Sequence, residues 1–362
     1  MKLVVVDHRG GLLPFAARAV REGSFEDVAI YQHHPVDPML HAGLIPTWLR
    51  SGKALAEHLE GCDPAATVVV ASGCVAECDS VRDRHLLEAG GAMKGEVPPP
   101  NVFGSCAAGL RERGFRVVGG ARFGDRFEAD LGEVKAFAQR CRRRFARPES
   151  GDVLVREETW ISGRTLRLRT AWTLVSSGRA WSAFTIGGAR FGDLGPWDRV
   201  LELAESDGYE GPVSVFVRPT DGALVRVLFR PQVPGLYALA GLLRGSLAQL
   251  LSPGFPVGFE DDELVALGSL APLEAGRAVQ ALPPSVWGLD LKEEVDGIHA
   301  TGEQPVFGWA SGMDSDPSPA LWQLGQGLLA AKADAALKLD LPDAVLTEVI
   351  ETWKANRRSW GR

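Results

Sequence analysis

Lys2–Asp7, KLVVVD, runs straight into the polar loop His8–Gly11, HRGG, and then into Leu12–Gly23, LLPFAARAVREG. A short unbroken apolar run reads as a strand buried on both faces. The apolar positions that follow recur at helical spacing, with Pro14 early enough in the first turn to be tolerated. The pattern repeats: DVAIYQ (27–32), TVVVAS (67–72) and FRVV (115–118) are β-branched runs separated by the helix-like ALAEHLEG (54–61) and CAAGLRERG (106–114). Strands alternating with helices predict a parallel sheet covered on both faces. The Pro-rich GEVPPPNVFG (95–104) interrupts it as a loop or lobe insertion.

Beyond this unit a long helix is predicted over RFEADLGEVKAFAQRCRRRF (126–145), ended by the breaker RPESGD (147–152). The character then changes. VLVREETWI, RTLRLRTAWTLVSSG and RAWSAFTI are β-rich runs joined by Ser-Gly turns, the pattern of an antiparallel meander. A helix (WDRVLELAESDG), two strands hinged on TDG (220–222) and one apolar helix, GLYALAGLLRGSLAQLL (235–251), complete this section. From 253 onward the sequence is Pro/Gly-punctuated and reads as strand-poor, closing with the Ala-rich helices GQGLLAAKADAALKL and DAVLTEVIETWKANRR. The predicted organisation is an α/β N-terminal domain with a linking helix (1–146), a lobe with a mostly antiparallel sheet (147–252) and a mixed C-terminal lobe (253–362).

The chain has 362 residues, 45% of them hydrophobic, enough for two or three ordinary cores. A formal net charge of −7 argues against non-specific nucleic-acid binding, and the run Arg142–Arg144 suits a helix C-terminus. No apolar run approaches the length of a membrane span, and the N-terminal segment turns polar too soon for a signal peptide. Five cysteines, an odd number, fit free thiols in a reducing compartment, so a cytoplasmic location is expected. The expected partner is a small anionic molecule; the oligomeric state is left open.

Strand C-termini and helix N-termini converge at loops such as HRGG, which makes His8, Gly10 and Gly11 candidate ligand contacts. No G-x-G-x-x-G follows, which argues against a dinucleotide, and a tight turn explains the two glycines as well as phosphate binding does. His33, His34, Asp37, Cys74, Cys78, Asp79 and His85 match no metal-ligand spacing, and no metal is assigned.

GGARFGD occurs twice, at Gly119–Asp125 and Gly187–Asp193. In the first copy Asp125 can cap the next helix while Glu128 reaches back. In the second, Asp193 is followed by LGP and the next helix starts near Pro196. The flanks do not align, so a duplicated unit is not indicated. The shared feature is a strand opening into a Gly-Gly bend with Arg and Asp beyond it. Backbone N–H groups with Arg122 or Arg190 suit an anion there, and an ordinary surface Arg–Asp pair fits equally.

The order of these segments resembles phosphoribosylamine–glycine ligases of the ATP-grasp superfamily, in particular compact versions from bacterial viruses. GFRVVGGARFGDRFEADL is similar to the family's closing N-terminal motif, and VLVREETWISG to its adenine-hinge strand at Glu157, Glu158 and Gly163. FTIGGARFGDLGP resembles the segment near the reactive end of the site at Arg190, Gly192, Asp193, Gly195 and Pro196. Two departures stand beside these matches. Between Lys135 and Val153 there is no room for the small lobe that would hold a triphosphate. Where the resemblance implies a Glu and an Asn on the last grasp strand for Mg²⁺, this chain has Leu228 and Arg230, neither of which supplies a ligand oxygen. Three readings are ranked. The first is a degenerate relative that binds an anionic nucleotide- or phosphosugar-like ligand through Arg190, Asp193 and Arg230, with Glu157 and Glu158 nearby. The second is a working ATP- and Mg²⁺-dependent carboxylate–amine ligase, with Asp193, Glu157 or Glu158 replacing the lost carboxylates. The third is a structural or interaction protein.

Overall fold

The computed structural model describes residues 1–7, 12–32, 45–49, 51–71, 107–119, 135, 138–139, 144–147, 153–162, 166–176, 183–187, 190–191, 210–218, 221–228, 243–252, 264–270, 273–279, 286–288, 291–302, 308–314, 319, 322–324 and 326. The first sheet is built from β1 (Lys2–Asp7), β2 (Asp27–Gln32), β3 (Thr47–Leu49), β4 (Thr67–Ala71) and β5 (Arg116–Val118), in the order β3-β2-β1-β4-β5. All its pairs are parallel, as the alternating pattern predicts. Helices α1 (Leu13–Glu22), α2 (Gly52–Glu60) and α3 (Ala107–Glu112) connect them.

Central β1 is apolar from Leu3 to Val6 because both its faces are covered: Leu3, Val4, Val5 and Val6 are all fully buried. Leu3 and Val5 belong to one core and Val4 and Val6 to the other, following the two-residue period of a strand. Local chemistry sets the helix ends. The Ser51 hydroxyl accepts Ala54 N–H at 3.0 Å to start α2, and Gly23, at φ 61, ends α1 in the left-handed region. The three-residue β3 escapes a reading by pattern, since TWL is too short to show one. Free Cys62 is buried in the second core.

The core on the α1 side is completed from far along the chain. Leu243, Leu247, Leu250 and Leu251 pack into it with Leu3 and Val5. Arg18 of α1 donates to the carbonyls of Leu243 (3.2 Å) and Gly245 (3.3 Å), and Glu22 accepts Leu247 N–H at 2.7 Å. Here the single helix expected over 235–251 is corrected. Residues 243–246 are not helical, and a new short helix, α4 (Leu247–Leu250), starts at Ser246 with a full capping box to Gln249.

The second sheet contains β6 (Val153–Ser162), β7 (Leu166–Ser176), β8 (Ala183–Gly187), β9 (Arg190–Phe191), β10 (Gly211–Arg218) and β11 (Ala223–Leu228). Strands β6, β7 and β8 form the predicted antiparallel meander, and β10 and β11 pair through a turn at Asp221–Gly222. The strand-poor reading beyond 253 is overturned. β12 (Leu264–Leu270), β14 (Val286–Gly288) and β17 (Gly308–Asp314) extend the same sheet, in the order β11-β10-β6-β7-β8-β12-β17-β14. β13 (Ala278–Val279), β15 (Leu291–Glu294) and β16 (Gly297–Ala300) make a third sheet. Glycines inside LVALGSL and GWASGMD mask the alternation, yet hydrogen bonding to neighbouring strands overrides the weak local propensity.

The helix expected to run to Phe145 is also corrected at its end. Phe145 bridges Leu224, and Leu224 N–H donates to Arg144 O at 2.8 Å, so this segment lies along β11. Arg144, read as a helix-end cation, instead pairs with Asp221 at 3.4 Å. Among the described residues no helix is long and apolar enough to cross a membrane.

The two GGARFGD copies diverge at their first residue. Gly119 follows β5 at φ 98, donates its N–H to Glu210 O at 2.8 Å and accepts from Arg111 Nη2 at 2.8 Å. Beside it Arg116 Nε donates to Glu210 Oε2 at 2.9 Å, and a second Arg116 nitrogen meets the other oxygen. The first sheet is thereby tied to the start of β10. A Cβ at Gly119 meets the left-handed penalty, so Gly119→Ala is expected to lower stability by about 1–3 kcal/mol, measured by urea unfolding. An unchanged midpoint would contradict this role. In the second copy Gly187 is a paired strand residue opposite Val265, and the chain resumes as β9 on β7. The register of β8 and β9 on β7 changes by one residue between Gly187 and Arg190; Gly188, the second glycine of the expected bend, lies outside the described residues.

Candidate functional site

The strand order of the first sheet reverses between β1 and β4, which makes the carboxyl end of β1 its natural ligand crevice. His8, Gly10 and Gly11 lie outside the described residues. What frames them is described. Asp7, 1% exposed, accepts Leu12 N–H at 2.9 Å, and Leu12 is fully buried at the start of α1. The helix has no side-chain cap of its own, so Asp7 supplies the acceptor that its first turn needs. Sequence reading missed Asp7 as a member of this loop, although an acidic residue ending a buried apolar strand is the signal that marks it.

The second sheet orders the other candidates by register. Glu158 of β6 lies opposite Ser214 of β10, and Ser214 opposite Leu228 of β11. Glu158 and Leu228 therefore occupy one cross-sheet row, about 10 Å apart over two strand spacings. Glu157 belongs to the neighbouring row with Val215 and Val227. The two adjacent glutamates thus fall on alternate faces of β6.

Arg190 of β9 is directly opposite Arg169 of β7, and Arg169 opposite Thr159 of β6. Arg167, two residues before Arg169, faces Ile161 in the same alternation. Thr159 alternates in step with Glu157, so β6 groups Glu157, and not Glu158, with the arginine row. Like charges directly opposite one another are destabilising in a sheet unless something negative compensates them. Arg169 was not singled out from sequence, because only the strand register reveals that it meets Arg190. Asp193 and Arg230 lie outside the described residues, as do Arg122, Asp125 and the histidines and cysteines weighed as metal ligands.

No protein-family model matches the chain, and no curated protein matches it by sequence. Solved structures do resemble it. N5-carboxyaminoimidazole ribonucleotide synthetase from Thermotoga maritima superposes with a TM-score of 0.53 at 11% identity, over 93% of this chain and 99% of that one. Phosphoribosylamine–glycine ligase from the same organism gives 0.51 at 10%, over 94% and 98%. Pyruvate carboxylase from Rhizobium etli gives 0.50 at 11%, covering 94% of this chain and 33% of that one. At such identities the likeness carries the fold alone: the chain has an ATP-grasp-like α/β fold, with a parallel sheet and mixed α/β content.

Proposed function

We propose that this ATP-grasp-like protein binds an anionic nucleotide- or phosphosugar-like ligand at the arginine row of its second sheet and has lost metal-dependent ligation. The observation that carries this reading is the cross-strand pairing of Arg169 with Arg190, with Arg167 alongside. A phosphate offers the planar guanidinium groups bidentate acceptors and relieves the like-charge opposition. The residue types at the end of β11 and in the sequence just beyond it support the loss of ligation. Leu228 offers no oxygen, Arg230 cannot hold Mg²⁺, and the short interval between Lys135 and Val153 leaves no room for a second lobe over a triphosphate.

Calorimetry with ATP and with ribose 5-phosphate, each with and without Mg²⁺, tests this. Arg190→Ala and Arg169→Ala are each expected to weaken binding at least tenfold, Arg122→Ala to leave it unchanged, and Mg²⁺ to make little difference. Equal losses from Arg122→Ala and Arg190→Ala would contradict the assignment.

A second reading, an active carboxylate–amine ligase acting through an acyl phosphate, is favoured by one observation. Glu158 is a carboxylate in the same register row as Leu228, the position where the metal ligand is missing. Mg²⁺-dependent release of ADP in the presence of an amine and a carboxylate, abolished in Glu158→Gln, would establish this reading in place of the first.

A further inference from the structure

The hairpin formed by β15 and β16 carries a polar cluster separate from the arginine row. Its turn, Glu294–Val295–Asp296–Gly297, projects into solvent: Val295 is fully exposed and the Asp296 side chain is 75% exposed. One turn-proximal side chain is buried instead. His299 of β16 is only 9% exposed, in register with Ala278 of β13 on one side and Lys292 of β15 on the other.

Both nitrogens of the His299 ring are held. Nδ1 lies 3.2 Å from the Gly276 carbonyl oxygen, and Nε2 lies 3.0 Å from Asp296 Oδ1. A carbonyl and an ionised carboxylate are both acceptors only. A neutral imidazole has one donor and one lone pair, so it satisfies one of them and turns its lone pair on the other. Both acceptors are met at once when Nδ1–H donates to Gly276 and Nε2 carries a proton or a bound cation. The Gly276 carbonyl, and behind it Asp296, lift the His299 pKa above the ordinary histidine range against the opposing effect of burial.

Glu294 makes the cluster more than an ion pair. One ligand atom each from Glu294, Asp296 and His299 lie within 4.8 Å of one another. Around a tetrahedral zinc ion, neighbouring ligand atoms stand about 3.3 Å apart, so the 3.0 Å Asp296–His299 pair is near that spacing. The support behind the imidazole is fixed. Gly276 N–H donates to Ala300 O at 2.8 Å and Ala300 N–H to Arg277 O at 2.9 Å, so the carbonyl facing Nδ1 is locked to the strand that carries His299. A ring N–H donated to a backbone carbonyl is the arrangement that sets the tautomer and orientation of a metal-bound histidine.

We propose that Glu294, Asp296 and His299 form a binding site for a divalent transition-metal ion of the zinc type, with His299 Nε2 and one oxygen from each carboxylate as ligands and the solvent side open. The imidazole selects a borderline ion over Ca²⁺ or Mg²⁺, which prefer all-oxygen sets. Two carboxylates balance the charge of the ion. The spacing E-x-D-x-x-H marks no ligand set in the sequence; the hairpin register brings the three together.

The test is zinc titration of the chelator-stripped full chain by calorimetry, comparing wild type with Asp296→Asn and Glu294→Gln. Thiols and histidines elsewhere also take zinc, so the difference between proteins is what counts. The wild type is expected to bind one more equivalent than Asp296→Asn, and Glu294→Gln to weaken that equivalent at least tenfold. Identical stoichiometry and affinity in all three would overturn the site. Nitrogen-15 NMR of the imidazoles gives a readout that needs no variant: Nε2 of His299 should move to a metal-bound shift on adding one equivalent of zinc beyond the other sites. A ring that stays in its imidazolium state throughout, paired only with Asp296, would overturn the proposal as well.

Discussion

Leu247→Ala is expected to lower the unfolding free energy by about 2–5 kcal/mol, the range for truncating a fully buried leucine. Leu247 is fully buried among residues of the first sheet, more than two hundred positions earlier in sequence. The helix carrying it, Leu247–Leu250, is four residues long and far too short to be stable alone. Its position is dictated by tertiary contacts: four leucines between 243 and 251 close one face of β1 and α1, while Arg18 and Glu22 hold the backbone at 243–247. The loss should therefore spread. Hydrogen exchange in β1 and α1 should accelerate together with that in 243–251, because one core is opened from two sides. The control is Gln249→Ala, which removes only half of an exposed capping box and should cost about 0.5–1 kcal/mol. Acceleration confined to residues 243–251 would show that the leucines merely rest on the sheet.

What the sequence made legible follows from where the stabilising contacts lie. The strands at 2–7, 27–32, 67–71 and 116–118 were readable because each is buried on both faces and is written in Val, Ile and Ala. The hairpin at 211–228 was readable from its Asp-Gly turn, with Gly222 at φ 65. Strands β12 and β17 were not, since Gly268 and Gly312 interrupt their apolar runs and only pairing with each other and with β8 makes them strands. The break before α4 had a local signal, Ser246 three residues ahead of Gln249, that the surrounding leucines obscured. Site geometry was the least legible part. That Arg169 meets Arg190, and that Glu158 rather than Glu157 shares a row with Leu228, depends on strand register and on a one-residue bulge, neither of which composition encodes.

Asp7→Ala is expected to cost about 1.5–3 kcal/mol, the range for a hydrogen bond to a charged group lost inside a protein. The reason is asymmetric. Leu12 N–H, 2.9 Å from Asp7 Oδ2, is at the uncapped start of α1, and Leu12 is fully buried, so no water replaces the lost acceptor. Asp7→Asn keeps an acceptor oxygen and should cost distinctly less in the same urea unfolding measurement. The pair of variants also separates two roles at the β1 crevice. If Asp7 only pins the ends of the 8–11 loop, Asn should match the wild type in ligand affinity while Ala weakens it through the loosened loop. If its charge instead repels an anion there, both variants should tighten binding of ribose 5-phosphate. Equal stability of Ala and wild type would remove Asp7 as the acceptor that starts α1.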